Sequence, residues 1–158
     1  MRVAVLTVST RGAAGERSDT SGDAIVAWAA AHGWPVAARD IVADDTAAIA
    51  RQLVRWADGG AADLILTTGG TGLTATDRTP EATRAVIERE APGIAEYLRA
   101  TAWPAVPRAA LSRGVAGVRG TALIVNLPGS IGGVTDGLAA LEAFVEHAAE
   151  LLGGKTEH

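Results

Sequence analysis

Apolar and polar positions along this chain follow two periods. RVAVLTV (2–8), DLILTT (63–68) and TALIVNL (121–127) are short apolar runs bounded by polar or glycine residues. Runs of this length predict strands buried on both faces. PVAARDIV (35–42) predicts a further strand. Between the strands, apolar residues recur at helical spacing. Ser21 is placed to cap a helix whose inward face carries Ile25, Trp28, Ala29 and His32, with Gly33 ending it. Asp44 or Asp45 caps the next, where Ile49, Leu53, Trp56 and Ala57 share one side and Gly59 and Gly60 stop it. Thr79, with Pro80 at the first helical position, predicts a helix running to Glu90 and broken at Pro92 and Gly93. GIAEYLRATAW (93–103) is a short helix before Pro104 and Pro107, and SRGVAGVRG (112–120) a glycine-rich turn or edge hairpin. A last helix begins near Val134 and sets Leu138, Leu141, Val145, Ala148 and Leu152 on one side; GGKTEH (153–158) is a flexible tail.

Strands alternating with helices predict an α/β fold, a three-layer sandwich around a mostly parallel sheet, in a single domain over 1–152. In such sheets ligands gather beyond the carboxyl ends of the strands, which here lead into STRG, ADD, TTGGTG and NLPGS. The 158 residues are enough to bury a sizeable core, and with aromatics at 4% that core must come from Ala, Val, Ile and Leu. A net charge of -4 speaks against a nucleic-acid partner, which needs clustered basic residues. There is no cysteine, hence no disulfide or thiolate chemistry. No apolar run approaches the roughly 18 residues of a membrane span. A cytoplasmic protein with no membrane partner is the expectation.

The stretch TTGGTGLTATDRTPEAT (67–83) changes the picture. Glycines after a buried strand expose backbone N–H groups that no side chain crowds, a nest suited to phosphate. It is not a P-loop, because no lysine follows the glycines. GTGLTA (70–75) fits a dinucleotide fingerprint in letters only: the helix waits until Thr79 and Glu90 falls within it. Asp77 is the distinctive residue. An acid ahead of a helix gains only about 0.3–1 kcal/mol from the dipole. Beside a phosphate nest it points instead to Mg²⁺ carried by phosphates, since Mg²⁺ takes one or two carboxylates plus phosphate oxygens and water. Asp44 or Asp45, on a neighbouring loop, offers the second carboxylate. His32, His147 and His158 have no metal spacing and no serine partner, so an activated nucleophile is poorly supported. Transfer between phosphates needs none, because a phosphate monoester is already an anion.

SDTSG, TTGGTGLTATDRTPEAT, SRGVAGVRG and NLPGS, in this order, resemble the MogA/MoaB family of molybdenum cofactor biosynthesis proteins over nearly the whole chain. The resemblance implies a homotrimer that binds molybdopterin and Mg-ATP, adenylylates the pterin's terminal phosphate and releases pyrophosphate. A molybdate-inserting enzyme is a further implied partner. Carried over by residue, it implies a phosphate loop of Gly69, Gly70, Thr71 and Gly72. Asp77 and Asp44 become the catalytic, Mg²⁺-binding acids. Ser112, Arg113, Asn126, Pro128, Gly129 and Ser130 become the lining of the pterin and nucleotide pocket. Asp19, Ser21 and Gly22 match the family's first loop. After NLPG, where adenylyltransferases of the family commonly carry proline and often lysine, this chain has Ser130, Ile131, Gly132 and Gly133. That brings it closer to the MoaB branch and leaves Arg11, Arg78 or Arg113 to meet phosphate. Two rivals follow: a MoaB-type protein that binds pterin or nucleotide without catalysis, and a trimeric scaffold.

Overall fold

A computed structural model describes residues 1–155. Six strands form one sheet in the order β2-β1-β3-β6-β5-β4. They are β1 (Val3–Val8), β2 (Val36–Val42), β3 (Leu64–Thr68), β4 (Arg89–Glu90), β5 (Ala116–Arg119) and β6 (Ala122–Leu127). The first four in space pair in parallel, while β5 runs antiparallel to both β6 and β4. The mostly parallel α/β sheet read from the sequence is therefore present. Its extra antiparallel edge is the SRGVAGVRG hairpin plus the two residues of β4.

Strands β1, β3 and β6 are buried along their whole length, as their unbroken apolar runs require. Alternate side chains feed two cores. Val3, Val5, Leu64, Leu66 and Val125 meet α2 (Thr20–Ala31), α5 (Pro92–Ala102), α6 (Ile131–Leu141) and α7 (Val145–Leu152). Ala4, Leu6, Ile65 and Ile124 meet α3 (Thr46–Asp58) and α4 (Thr79–Val86) on the opposite face. Each fully buried Leu or Ile contributes about 1.5–3 kcal/mol relative to exposure.

Four boundaries differ from the expected ones. Asp19, not Ser21, caps α2: its side chain accepts from Gly22 N at 2.9 Å, and Ser21 falls inside the helix. A one-turn helix, α1 (Thr10–Ala13), follows β1 with Ser9 as its cap. The helix from Thr79 stops at Val86, where Ile87 turns to extended backbone, and Arg89–Glu90 becomes β4, so Glu90 is not helical. Pairing with β5 overrides a helical pattern there. The last helix is two. Ser130 caps α6 through Gly133 N, a turn at 142–144 swings Phe144 against Tyr97, and α7 resumes with the same face inward. Of the expected inward face of α2, Ile25 and Ala29 are buried, but His32 is exposed and stacks on Trp34. Gly153, Gly154 and Lys155 hydrogen-bond back onto α7. The rest of the expected tail, Thr156, Glu157 and His158, lies outside the described residues. Among the described residues no helix is long and apolar enough to cross a membrane.

Candidate functional site

The loop after β3 carries the glycines, and its shape follows from what it passes. Gly69 has φ +94, and a Cβ there would stand 2.4 Å from Val8 O; Gly70 has φ +65, and its Cβ would stand 2.4 Å from Thr79 Oγ1. Only glycine fits both the backbone and the space. The carbonyls of this loop are all used. Thr79 Oγ1 donates to Gly69 O at 2.8 Å and Thr79 N to Gly70 O at 3.0 Å. Arg113 N donates to Thr71 O at 2.8 Å, and Arg113 Nε to Gly72 O at 2.7 Å. The N–H groups of Gly70, Thr71 and Gly72, by contrast, have no acceptor among the described residues. A loop with its carbonyls tied down and three amides free is an anion nest in chemistry as well as in letters.

Beneath the loop lies a buried polar support. Asn126 Nδ2 donates to Thr67 Oγ1 at 3.0 Å and Thr83 Oγ1 at 2.9 Å, while its Oδ1 accepts from Val115 N at 3.2 Å. One side chain thus joins β3, α4 and the hairpin to β6. Thr68 Oγ1 reaches Pro128 O at 2.7 Å and fixes the neighbouring loop.

Two cavities meet at the glycines. The larger, about 690 Å³, lies among the glycine loop, the end of β6, α6 and a wall made by α5 and the 3-10 helix Pro107–Leu111. The smaller, about 490 Å³, lies among the loops after β1, β2 and β3. Gly70, Gly129 and Ser130 line both. Asp77, Thr71, Gly72, Ser112, Asn126 and Pro128 line the larger; Asp44 and Gly69 line the smaller. The expected site residues are therefore gathered at one sheet edge, with the two acids on different sides of the loop.

Both acids are anchored by one oxygen. Asp77 Oδ2 accepts from Thr74 N at 2.9 Å and Thr74 Oγ1 at 2.7 Å. Asp44 Oδ2 accepts from Thr10 N at 2.9 Å and Thr10 Oγ1 at 2.8 Å. Neither Oδ1 has a hydrogen-bond partner among the described residues, and Asp44 Oδ1 would lie 3.4 Å from a Cβ at Gly70. Asp45 instead accepts from Ala48 N at 2.7 Å and caps α3. The adjacent acids thus divide: Asp45 belongs to the helix, Asp44 to the cavity. Each free carboxylate oxygen is a hard donor suited to Mg²⁺. Among the described residues no group of three or more His, Cys, Asp or Glu side chains could hold a metal ion unaided. An ion here would have to share its shell with phosphate oxygens and water.

Arg113 is the exception among the expected residues, since it lines neither of these cavities. Its guanidinium pairs with Glu81 and donates to Gly72 O and Asp77 O, so it clamps the loop from behind. The hydrogen bond from Arg113 pulls the Glu81 carboxyl below its ordinary range against the opposing effect of burial. Arg78 lines neither cavity either, while Arg11 and Arg17 line the smaller one. Asp19 also lines the smaller cavity. Burial pushes its carboxyl up, but hydrogen bonds from Arg39, Gly22 N–H and Thr7 outweigh it and hold it below the ordinary value. The larger cavity has lining the sequence reading missed: Arg99, Arg108 and Asp136, with Leu98, Val106 and Leu111. No periodicity singles these out; only the prolines marked the segment as irregular.

The family described as "Probable molybdopterin binding domain" matches residues 4–147. The chain is 41% identical over 114 residues to the molybdenum cofactor synthesis protein cinnamon of Drosophila melanogaster, covering 72% of this chain and 19% of that protein. It is 40% identical over 115 residues to a molybdopterin adenylyltransferase of Helicobacter pylori, covering 73% of this chain and 65% of that protein. These alignments thus span less than two thirds of either relative. The crystal structure of the molybdopterin biosynthesis enzyme MoaB from Thermus thermophilus superposes with a TM-score of 0.91 at 50% identity, covering 97% of this chain and 96% of that one.

Proposed function

This chain belongs to the MogA/MoaB family of molybdenum cofactor biosynthesis proteins, and from that premise we propose that it adenylylates molybdopterin at the expense of ATP. An oxygen of the pterin's terminal phosphate attacks the α-phosphorus of ATP. The new P–O bond forms as the bond to the β-phosphate breaks, and pyrophosphate leaves with that electron pair. No protein base is required, because the attacking phosphate is already an anion; positioning and charge neutralisation suffice. The observation that carries the reading is the glycine loop itself: free amides where two cavities meet, with one unpartnered carboxylate oxygen on each side.

The amides of Gly70, Thr71 and Gly72 take phosphate oxygens and cost no reorganisation, because their carbonyls are already fixed. Asp77 and Asp44 would hold Mg²⁺ through Oδ1, and the ion neutralises phosphate charge when bound. Arg113 keeps the loop in register with Asp77 by gripping the carbonyls of both Gly72 and Asp77. The larger cavity, with its mixed apolar and polar lining, suits a ring system, and about 690 Å³ lies within the usual range for small-ligand sites. A cytoplasmic homotrimer that hands its product to a molybdate-inserting enzyme completes the reading.

The test is pyrophosphate release from Mg-ATP in the presence of molybdopterin. The Asp77→Ala variant should lose roughly 10²–10³ in turnover, by analogy with the loss of one oxyanion-hole donor in acyl transfer. Turnover by that variant near the wild-type rate would remove Asp77 from the mechanism. Pterin binding by the wild type with no release at all would leave the binding-only MoaB reading.

A further inference from the structure

We propose that Arg108 is a substrate-binding residue whose guanidinium holds a phosphate group at the larger cavity, an assignment that rests on the adenylyl-transfer reading for the identity of the substrate. Four charged side chains line that cavity: Asp77, Asp136, Arg99 and Arg108. The two arginines differ in what they are free to do. Arg99 is committed to the fold, donating to Gly114 O at 3.0 Å and to Ser112 O at 3.4 Å, which ties α5 to the hairpin. Arg108 has no hydrogen-bond acceptor and no carboxylate partner among the described residues. It is exposed on the 3-10 helix Pro107–Leu111, which buries no residue, so its guanidinium can turn to a ligand without breaking a contact of the fold.

Charge balance adds a second reason. Without Arg108 the lining would hold two carboxylates against one arginine already spent on backbone carbonyls. Such a wall offers a polyanion no free guanidinium beside the glycine amides. With Arg108 the cavity gains a planar fork of donors that matches two phosphate oxygens at once, which an ammonium group cannot reproduce. The phosphate can come from ATP or from the pterin, and both present the same chemistry to a guanidinium.

The experiment compares the wild type with Arg108→Ala and Arg108→Lys. Calorimetry with inorganic pyrophosphate as the probe reads phosphate affinity without turnover, and steady-state assays read KM for ATP and for molybdopterin separately. Arg108→Ala should weaken pyrophosphate about tenfold and raise one KM on the order of tenfold, with kcat within about threefold, as expected for a lost ground-state contact. Arg108→Lys should recover only part of the affinity. The KM that moves identifies which phosphate is held. Equal pyrophosphate affinity in wild type and Arg108→Ala, absent binding by the wild type, or two unmoved KM values in an active enzyme would each overturn the proposal. Weakened pyrophosphate binding in a protein that transfers nothing would instead sustain Arg108 and overturn the adenylyl-transfer reading. Unchanged thermal midpoints certify the fold, since Arg108 has no partner within it to lose.

Discussion

Thr71, on one side of the larger cavity, is 5% exposed and held in a loop whose every carbonyl from Gly69 to Gly72 is bonded; Leu111, on the other, is 53% exposed in a helix that buries nothing. The first side is polar, with its carbonyls bonded and its amides free, and is anchored to β3, β6, α4 and the hairpin through Asn126 and Arg113. The second contacts the core chiefly through Ala95 and through Ile94 and Leu98 of α5. A site that must place phosphates within tenths of an ångström needs the first kind of wall. A site that must admit a bulky ring can use the second. On the adenylyl-transfer reading, the contrast assigns chemistry to the glycine side and substrate choice to the α5 side.

Two substitutions test the contrast directly, and a third, between them in size, probes the anchoring of the neighbouring smaller cavity. The largest effect should come from Asn126→Ala, which leaves the buried Val115 N–H without its acceptor and both Thr67 and Thr83 without a partner. Urea unfolding should register a loss of roughly 2–3 kcal/mol, the cost of unsatisfied buried groups. A loss below about 0.5 kcal/mol would show that the glycine side is less anchored than its hydrogen bonds indicate.

A smaller effect should appear in acid. The Asp19 carboxyl sits below its ordinary value, so its contribution is complete above the unfolded carboxylate range and disappears as pH falls through the folded value, from about pH 4 downward. Arg39→Gln removes the strongest hydrogen bond that opposes burial and should move the onset of acid unfolding to higher pH. The accompanying loss should be about 1 kcal/mol at neutral pH, because the Arg39 guanidinium is itself 34% exposed and its pairing is screened. Stability measured against pH in the two proteins decides it; coincident acid limbs would mean Asp19 contributes nothing through this contact.

The smallest effect belongs to the other side. Leu111→Ala should change stability by no more than about 0.5 kcal/mol, because the side chain is exposed. It should raise KM for the pterin a few-fold without altering kcat. A drop in kcat with unchanged KM would place Leu111 among the groups that act in the transition state and erase the division between the two sides.

The same division explains what was legible in the sequence. β1, β3 and β6 are buried on both faces, so their apolar runs identify the sheet directly, and the glycines and Asp77 stand out because their constraints are local. Asp44 could be separated from Asp45 only by seeing which one meets Ala48 N and which meets Thr10. Arg113 lines neither cavity, and nothing in its neighbours predicts its pairing with Glu81 across 32 residues. The α5 wall was unreadable for a related reason. Arg108 and Leu111 become site residues only through where the hairpin and α6 place them, and neither follows a period. Arg89–Glu90 failed differently: local pattern favoured a helix, and a partner strand won.

The close contacts of the glycines differ in kind, and heredity would sense the difference. At Gly69 the obstruction to a side chain is the main-chain oxygen of Val8, and at Gly129 it is the main chain of Gly69 itself. Every allele keeps its main chain, so no side-chain change elsewhere clears the space at Gly69, whereas at Gly129, where the approach is 3.2 Å, a small main-chain shift would suffice. At Gly72 the obstruction is Asp77 Oδ2, a side-chain atom that another mutation can remove. Suppressors of a Gly72 substitution should therefore arise at Asp77, restoring an accumulating protein and abolishing the acid to which the proposed reaction assigns Mg²⁺. Selection for folding and selection for cofactor synthesis would then pull the same pair of codons in opposite directions.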